Sequence, residues 1–235
     1  MLGLNTSIIG KVVIYYREVT STNEVAKLGN FEEGTVIVAD TQTMGHGRIG
    51  RRWESPPGGL WMSVVLHPRI STEDLPKLSF LGALAVVRTL SEFSIQGKIK
   101  WPNDVLVDYK KIAGILVEKR GDNVVLGVGL NVNNEAPENA TSMAEILGTS
   151  VPLIEVFRAL VTNLDELYKM FLSSPASLLE MAKKEMILGV PVRIIGDGEI
   201  EGIAEDIDEL GRLILRLSDG SLKKIVYGDV SLRFL

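Results

Sequence analysis

Cysteine is absent from this chain of 235 residues, and histidine occurs only as His46 and His67. The first absence excludes a disulfide-stapled scaffold, a thiolate nucleophile and a cysteine-ligated zinc site. The scarcity of histidine argues against a histidine-rich metal centre. Neither thiol chemistry nor a histidine-based metal site is therefore expected.

Charge and hydropathy do not point to a nucleic acid or a membrane as partner. The 25 basic and 30 acidic side chains leave a formal charge of −5, without the basic excess that general nucleic-acid binding requires. Glycine or charge interrupts every apolar run, which excludes a membrane-spanning segment, and no signal peptide is recognisable. A composition with 46% apolar and 23% charged residues predicts a globular, soluble and cytoplasmic protein.

The hydropathy pattern predicts an α+β domain followed by a smaller β-rich domain. Strands are expected where β-branched and aromatic residues cluster, at 11–19, 35–40, 60–66, 98–101, 111–119 and 124–132. Helices are expected from Ser21, over 75–93, along the amphipathic stretch 153–171 and after Pro175.

Beyond residue 188 the pattern changes to short β-rich runs, at 192–195, 213–217 and 223–226. Turn signals separate them at Asp197-Gly198 and Asp219-Gly220, which is typical of a small antiparallel barrel or sandwich. The predicted domains are therefore residues 1–188 and 189–235.

The segment from 41 to 59 contains five glycines and three arginines and has no helix or strand period. Its centre is Gly45-His46-Gly47-Arg48-Ile49-Gly50-Arg51-Arg52, called here the Gly/Arg loop. A dinucleotide fingerprint would need a helix after the last glycine, which the prolines that follow exclude. A P-loop would need Lys and then Ser or Thr where Arg51-Arg52 stands. Both standard motifs therefore fail.

The chemistry of the Gly/Arg loop still suits a phosphate. Glycine lets backbone N–H groups approach an anion, and arginine supplies a fork of donors that matches phosphate oxygens. Two neighbouring guanidinium groups repel each other until an anion arrives, so the loop is expected to order on a phosphate-bearing ligand. The alternative is a flexible, solvated surface loop.

Further segments accompany this loop in a fixed order. They are Ser21-Thr22-Asn23, Gln42, Trp61, Lys100-Trp101-Pro102-Asn103-Asp104, the run from Lys110 to Leu116, and the run from Gly127 to Asn133. From about Val13 to Asn133 the chain resembles the biotin protein ligases, and Gly-Asp-Val-Ser-Leu at 228–232 resembles their C-terminal domain. The resemblance implies a class II synthetase-like (biotin-lipoyl ligase) fold, in which helices flank a mixed sheet. It also implies a small C-terminal SH3-like barrel.

The resemblance also implies an activity. Biotin protein ligases join the carboxylate of biotin to the α-phosphate of ATP and release pyrophosphate. They then pass biotin from biotinyl-5′-AMP to a lysine of a biotin carboxyl carrier protein. Mg²⁺ is expected with ATP. Members are often homodimers, and the sequence leaves the oligomeric state of this chain open. The matched strand begins near Lys11, so we expect the short form without an N-terminal DNA-binding domain.

The resemblance assigns roles residue by residue. Biotin is expected to contact Ser21, Thr22, Asn23, Gln42, Gly45, His46, Gly47, Arg48, Lys111, Gly114 and Leu116. ATP and the adenylate are expected to contact Arg48, Arg51, Trp53, Lys111 and Asn131. The expected catalytic residues are Lys111 and Arg48, which offset negative charge, and Asp104, which orients or deprotonates the acceptor lysine.

Each role has a structural alternative. Ser21 could be only a helix N-cap, Trp53 only a packing residue, and Asn131 or Asp104 only a turn residue. Trp61 is expected in the core.

Two positions depart from the commonest loop of the family. His46 stands where arginine is usual, and Ile49 where a basic residue is frequent. His46 can donate a hydrogen bond but carries no permanent charge. Two other functions stay open, a lipoate–protein ligase and a non-catalytic module that docks a protein or RNA. The Gly-His-Gly-Arg sequence and the small C-terminal domain favour biotin.

Overall fold

A computed structural model describes residues 3–196, 198–226 and 228–232. The strands of its larger sheet are β1 (Val13–Val19), β2 (Val36–Gln42), β3 (Leu60–Leu66), β4 (Lys98–Lys100), β5 (Asp104–Val107), β6 (Lys110–Arg120) and β7 (Asn123–Leu130). The helices are α1 (Thr22–Leu28), α2 (Leu75–Glu92), α3 (Met143–Leu147), α4 (Leu153–Ser173) and α5 (Pro175–Glu185). In the part of the chain that is described, no helix combines the length and the apolar composition needed to cross a membrane.

The larger sheet is mixed, as the sequence predicts. Its spatial order is β1-β2-β3-β7-β6-β5-β4. The β1–β2 pair is parallel, and the other neighbouring pairs are antiparallel. Strand β7 inserts between β3 and β6, so the glycines near its end lie in the middle of the sheet.

Helices cover both faces of this sheet. Every residue of β3 is buried, because successive side chains point to opposite faces. Val64 and Leu66 join the main core, against which α2, α4 and α5 pack. Val65 points to the other face, where it packs with Ala26 of α1. This second face carries the start of α1 close to β3 and β7.

The second sheet contains β8 (Val190–Ile195), β9 (Glu199–Ile207), β10 (Leu213–Arg216), β11 (Leu222–Ile225) and β12 (Asp229–Leu232). Its order is β11-β10-β9-β8-β12 and every pair is antiparallel. The predicted small C-terminal β domain is confirmed as a sheet, and its closure into an SH3-like barrel stays a prediction. Of the predicted turn at Asp197-Gly198, the aspartate lies outside the described residues.

The α+β class is confirmed, but four elements were not predicted: β5, α3, β9 and β12. The alternative that makes Asp104 a turn residue is wrong. The turn between β4 and β5 ends before it, and Asp104 pairs with Lys100 as the first residue of β5. The pairing of β5 with β4 therefore fixes the backbone that carries the Asp104 carboxylate.

Candidate active site

The polar end of the site forms where α1 begins. Ser21 occupies the N-cap position, but its side chain makes no capping hydrogen bond. The explanation of Ser21 as a capping side chain is therefore wrong. Instead, Gln42 Oε1 accepts the backbone N–H of Thr22 at 2.8 Å and the Thr22 hydroxyl at 3.1 Å. The end of β2 thus caps α1 and joins two predicted biotin-binding segments.

Ser63 of β3 orients the side chains above it. Its hydroxyl oxygen lies 2.7 Å from Thr22 Oγ1 and 2.5 Å from Asn23 Oδ1. On its other side, Asn23 donates from Nδ2 to Glu118 Oε2 at 2.8 Å. Both ends of the Asn23 amide are engaged, so the amide has one preferred orientation.

The Gly/Arg loop folds back on itself between β2 and β3. An antiparallel bridge joins His46 to Arg52, and Gly47 N donates to Arg51 O at 2.7 Å. At the tip, Ile49 has a φ of 55°, in the left-handed region that a β-branched residue rarely adopts. The segment is long and irregular, as predicted, but hydrogen bonds between its two halves fold it into a hairpin-like loop.

Two of the predicted catalytic residues form an ion pair. Lys111 Nζ lies 2.6 Å from Asp104 Oδ1, and Lys100 Nζ lies 3.4 Å from Asp104 Oδ2. The third, Arg48, donates to Asn103 Oδ1 at 3.2 Å. The segment from Lys100 to Asp104 therefore contacts both cations on which the predicted chemistry depends.

Glycines on β6 and β7 give the site a flat wall. A Cβ added at Gly129 would lie 2.5 Å from Trp53 Nε1, and one at Gly114 would lie 3.0 Å from Trp53 Cζ3. The Trp53 indole therefore contacts the strand backbone directly. Lys111 Nζ is 5.0 Å from the ring centre, within cation–π range. The buried indole Nε1 has no hydrogen-bond partner among the described residues.

A charged cluster lies behind Asn23. Lys27 Nζ is 2.5 Å from Glu24 and 2.7 Å from Glu118, and His46 Nε2 is 3.3 Å from Glu118 and 3.6 Å from Glu24. Burial alone would raise the pKa of Glu118, but hydrogen bonds from Lys27 and Asn23 outweigh it and lower the pKa. Glu24, His46 and Glu118 could offer ligand atoms to a metal ion, but Lys27 already pairs with both carboxylates.

One open cavity of about 130 Å³ collects most of the predicted residues. Its walls include Ser21, Thr22, Asn23, Gln42, His46, Gly47, Arg48, Arg51, Trp53, Asp104, Lys111, Gly114 and Leu116. Gly45 and Asn131 are not part of the lining. Gly45 packs behind the loop, where an added Cβ would lie 2.5 Å from Trp53 O.

Two side chains near the cavity, Asn131 and Trp61, are buried and contact other parts of the protein. The buried Asn131 amide donates to Thr141 O at 3.1 Å and accepts from Asn134 Nδ2 at 3.1 Å. Its predicted nucleotide contact stays a prediction, while the structure shows that it braces the loop after β7. Trp61 is fully buried, so its predicted place in the core is confirmed.

From the sequence, no role was assigned to Ser63, Glu118 or Gly127. A serine inside the apolar run of β3 was a visible signal. An added Cβ at Gly127 would lie 2.3 Å from Asn23 Oδ1, so the Gly-x-Gly spacing of β7 makes room for Asn23 as well as for Trp53. Glu118 gave no local signal, since its partners Asn23 and His46 are distant in sequence.

Comparison with known proteins agrees with this geometry. The model of the biotin/lipoate A/B protein ligase family matches residues 15–135, and that of the biotin protein ligase C-terminal domain matches residues 187–233. The chain is 34% identical to the bifunctional ligase/repressor BirA of Bacillus subtilis (strain 168), over 98% of this chain and 77% of that protein. It is 33% identical to the biotin–[acetyl-CoA-carboxylase] ligase of Mycobacterium tuberculosis, over 84% of this chain and 79% of that protein.

A solved structure shows the same likeness. The biotin protein ligase from Aquifex aeolicus, in complex with biotin and ATP, superposes with a TM-score of 0.87 at 36% identity. The match covers 95% of this chain and 99% of that one. The chain therefore belongs to the biotin/lipoate A/B protein ligase family and, within it, to the biotin protein ligases.

Proposed function

We propose that this protein is an ATP-dependent biotin protein ligase, which forms biotinyl-5′-AMP and then biotinylates a lysine of a biotin carboxyl carrier protein. One observation carries the proposal. Neutral polar groups at Thr22, Asn23 and Gln42 line the same cavity as the cations Lys111 and Arg48. This combination suits a neutral ureido ring at one end and a carboxylate beside a triphosphate at the other.

In the first step, a carboxylate oxygen of biotin bonds to the α-phosphorus of ATP, and pyrophosphate leaves with the electrons of the broken P–O bond. Biotin's carboxylate is already ionised at neutral pH, so no general base is needed. The barrier comes from repulsion between anions. We assign Lys111 and Arg48 to offset that repulsion and to stabilise charge on the α-phosphoryl oxygens.

Mg²⁺ is expected to accompany ATP and to neutralise the pyrophosphate leaving group. Triphosphate oxygens can supply ligands of the kind that Mg²⁺ prefers. Asp104 is the carboxylate among the described residues that line the cavity, and it pairs with Lys111 and Lys100. We therefore assign no protein ligand to the ion.

In the second step, the ε-amine of the acceptor lysine attacks the acyl carbon of biotinyl-AMP, an amide forms and AMP leaves. The amine of lysine is protonated in water at pH 7, so the step needs a group that favours the neutral amine. We assign this role to Asp104, which receives or orients the proton. Its position at the start of β5 and its contact with Lys111 support the assignment.

Further parts of the proposal rest on the family resemblance. The name of the relative from M. tuberculosis supports a carboxylase carrier as acceptor. The C-terminal family model at 187–233 and the separate second sheet support a division into residues 1–188 and 189–235. A cytoplasmic location suits the need for ATP. A homodimer is proposed because members of the family are often dimers.

Exchange of labelled pyrophosphate into ATP tests the first half-reaction. The wild-type protein should catalyse exchange with biotin and not with lipoate. Lys111→Ala and Arg48→Ala should each lower the rate by roughly 100-fold, since each removes a donor that stabilises developing charge. Lys110→Ala is the matched control, because the exposed Lys110 side chain pairs with Glu145 outside the cavity. Absence of exchange in the wild-type protein would leave only a binding module, and a preference for lipoate would identify the other ligase.

A further inference from the structure

Glu118 connects two parts of the site that are far apart in sequence. Its Oε2 accepts a hydrogen bond from Asn23 in the polar end of the cavity and lies 3.3 Å from Nε2 of His46 in the Gly/Arg loop. Its Oε1 accepts from Lys27 Nζ at 2.7 Å. Glu118 itself does not line the cavity. It can therefore influence a ligand only through Asn23 and the loop.

The position of Glu118 suits such an intermediary. It lies near the end of β6, where it pairs with Val125 of β7 in the interior of the sheet. The sheet backbone is a firm base for the carboxylate, whereas the loop contacts it through His46. Since Arg48 follows His46 by two residues, the attachment of His46 limits where the Arg48 guanidinium can reach.

We propose that Glu118 is a positioning residue, which couples the orientation of Asn23 to closure of the Gly/Arg loop through His46. The inference rests on the proposed function, because it assumes that Asn23 contacts biotin and that the loop contacts the phosphates. It adds a residue that no sequence motif marks, and it gives His46 a role distinct from a direct ligand contact.

Charged groups surround His46. Glu24 and Lys27 face it from α1, Glu118 faces it from β6, and Arg52 lies across the loop bridge. The two carboxylates share one permanent cation, Lys27. A permanent cation at position 46 would add a second and would turn the contact with Glu118 into an ion pair. We therefore expect such a cation to hold the loop more firmly and to raise the affinity for biotin.

Biotin titrations of the pyrophosphate-exchange rate test the coupling. His46→Arg, which introduces a permanent cation, should lower the KM for biotin about threefold, the size expected of a partly exposed ion pair. Glu118→Gln should raise the KM for biotin about fivefold, because Asn23 and position 46 both lose their charged partner. In the Glu118→Gln background, His46→Arg should no longer lower the KM.

His67→Arg is the matched control, since His67 is exposed and bonds Asn123 away from the site; it should keep the wild-type KM. A role of Glu118 in stability alone would lower the melting temperature and leave the effect of His46→Arg unchanged in the Glu118→Gln background. A wild-type KM in Glu118→Gln, or an equal effect of His46→Arg with and without Glu118, would overturn the coupling while leaving the ligase assignment intact. No exchange in the wild-type protein would instead overturn the proposed function.

Discussion

At the scale of single residues, the ion pair between Lys111 and Asp104 joins the side chains that we assign to the two half-reactions. Before ligands bind, Asp104 balances the charge of Lys111 at 2.6 Å, and Lys100 adds a weaker contact at 3.4 Å. An arriving carboxylate and triphosphate compete for the same ammonium group. We therefore expect binding of the first substrates to loosen Asp104 from Lys111 and to leave the carboxylate available when the acceptor amine arrives.

The substitution Asp104→Asn tests this sequence of events. It should slow transfer from preformed biotinyl-AMP by roughly 100-fold, the usual cost of losing a general base. Biotin-dependent pyrophosphate exchange should change far less, because the first step needs no base. Single-turnover transfer to a carrier domain and the exchange assay measure the two steps separately.

Asp108→Asn is the control for that substitution, since Asp108 is an exposed carboxylate in the neighbouring turn with a φ of 47°, a conformation that asparagine also tolerates. Equal loss in both half-reactions would assign Asp104 to holding Lys111 only. No loss in either would remove it from the mechanism.

Single residues were predictable where their role depends on neighbours in sequence. The resemblance carried by Lys110 to Leu116 identified Lys111, which does line the cavity. The capping alternative for Ser21 could not be rejected from the sequence, because the acceptor that caps α1, Gln42, comes from another strand. Glu118 was invisible because its significance arises only when α1, β6 and the loop come together.

At the scale of elements, α4 holds the N-terminal segment in place through one carboxylate. Asp165 is 2% exposed and accepts backbone N–H groups from Ser7, Ile8 and Ile9 at 2.7–3.0 Å. Burial alone would raise the pKa of Asp165, but these bonds and Lys169 lower it to about 2. Because the pKa is lower in the folded state, the carboxylate stabilises the fold above its unfolded pKa, near 3.9, and the stabilisation is lost as pH falls toward 2.

Asp165→Asn should therefore lower the free energy of unfolding at pH 7 by about 2 kcal/mol. The difference from wild type should shrink between about pH 4 and pH 2, where the wild-type carboxylate becomes protonated. Urea unfolding at pH 7 and pH 3 measures both effects. Glu166→Gln is the control on the same helix, since Glu166 is mostly exposed. Unchanged stability of Asp165→Asn at pH 7 would show that the three backbone bonds do not anchor the segment.

Elements were predictable where an apolar run or a strong period marks them in the sequence. The prediction of 60–66 agrees with β3 at both ends, and the apolar repeat of 153–171 became α4. Strand β9 was missed because the alternation of charged and apolar residues at its start is lost from Gly202 onward. Pairing with β8 on one side and β10 on the other defines it instead. Non-local pairing of this kind is not readable from a single segment.

At the scale of the whole molecule, the second sheet supports the segment that leads into Asp104. Trp101 Nε1 donates to Gly211 O at 2.9 Å in a buried contact. A second cavity, of about 430 Å³, lies between the sheets and shares Arg48 and Asn103 with the site. The small domain therefore borders the site, although the predicted boundary near residue 188 suggests a separable module.

Gly211→Ala tests whether this contact supports catalysis. Gly211 has a φ of 79°, and an added Cβ would lie 2.5 Å from Phe80 Cε2, so the turn must move and carry its carbonyl away from Trp101. We expect a loss of about 1–3 kcal/mol in unfolding free energy, as for overpacking. Exchange and transfer should both slow, because the segment from Trp101 contacts Arg48 as well as carrying Asp104. Gly220→Ala separates backbone strain from displacement, since its φ is 85° but nothing lies within 4 Å of an added Cβ. If both variants lose stability but neither loses activity, the second sheet holds the fold together without positioning the site.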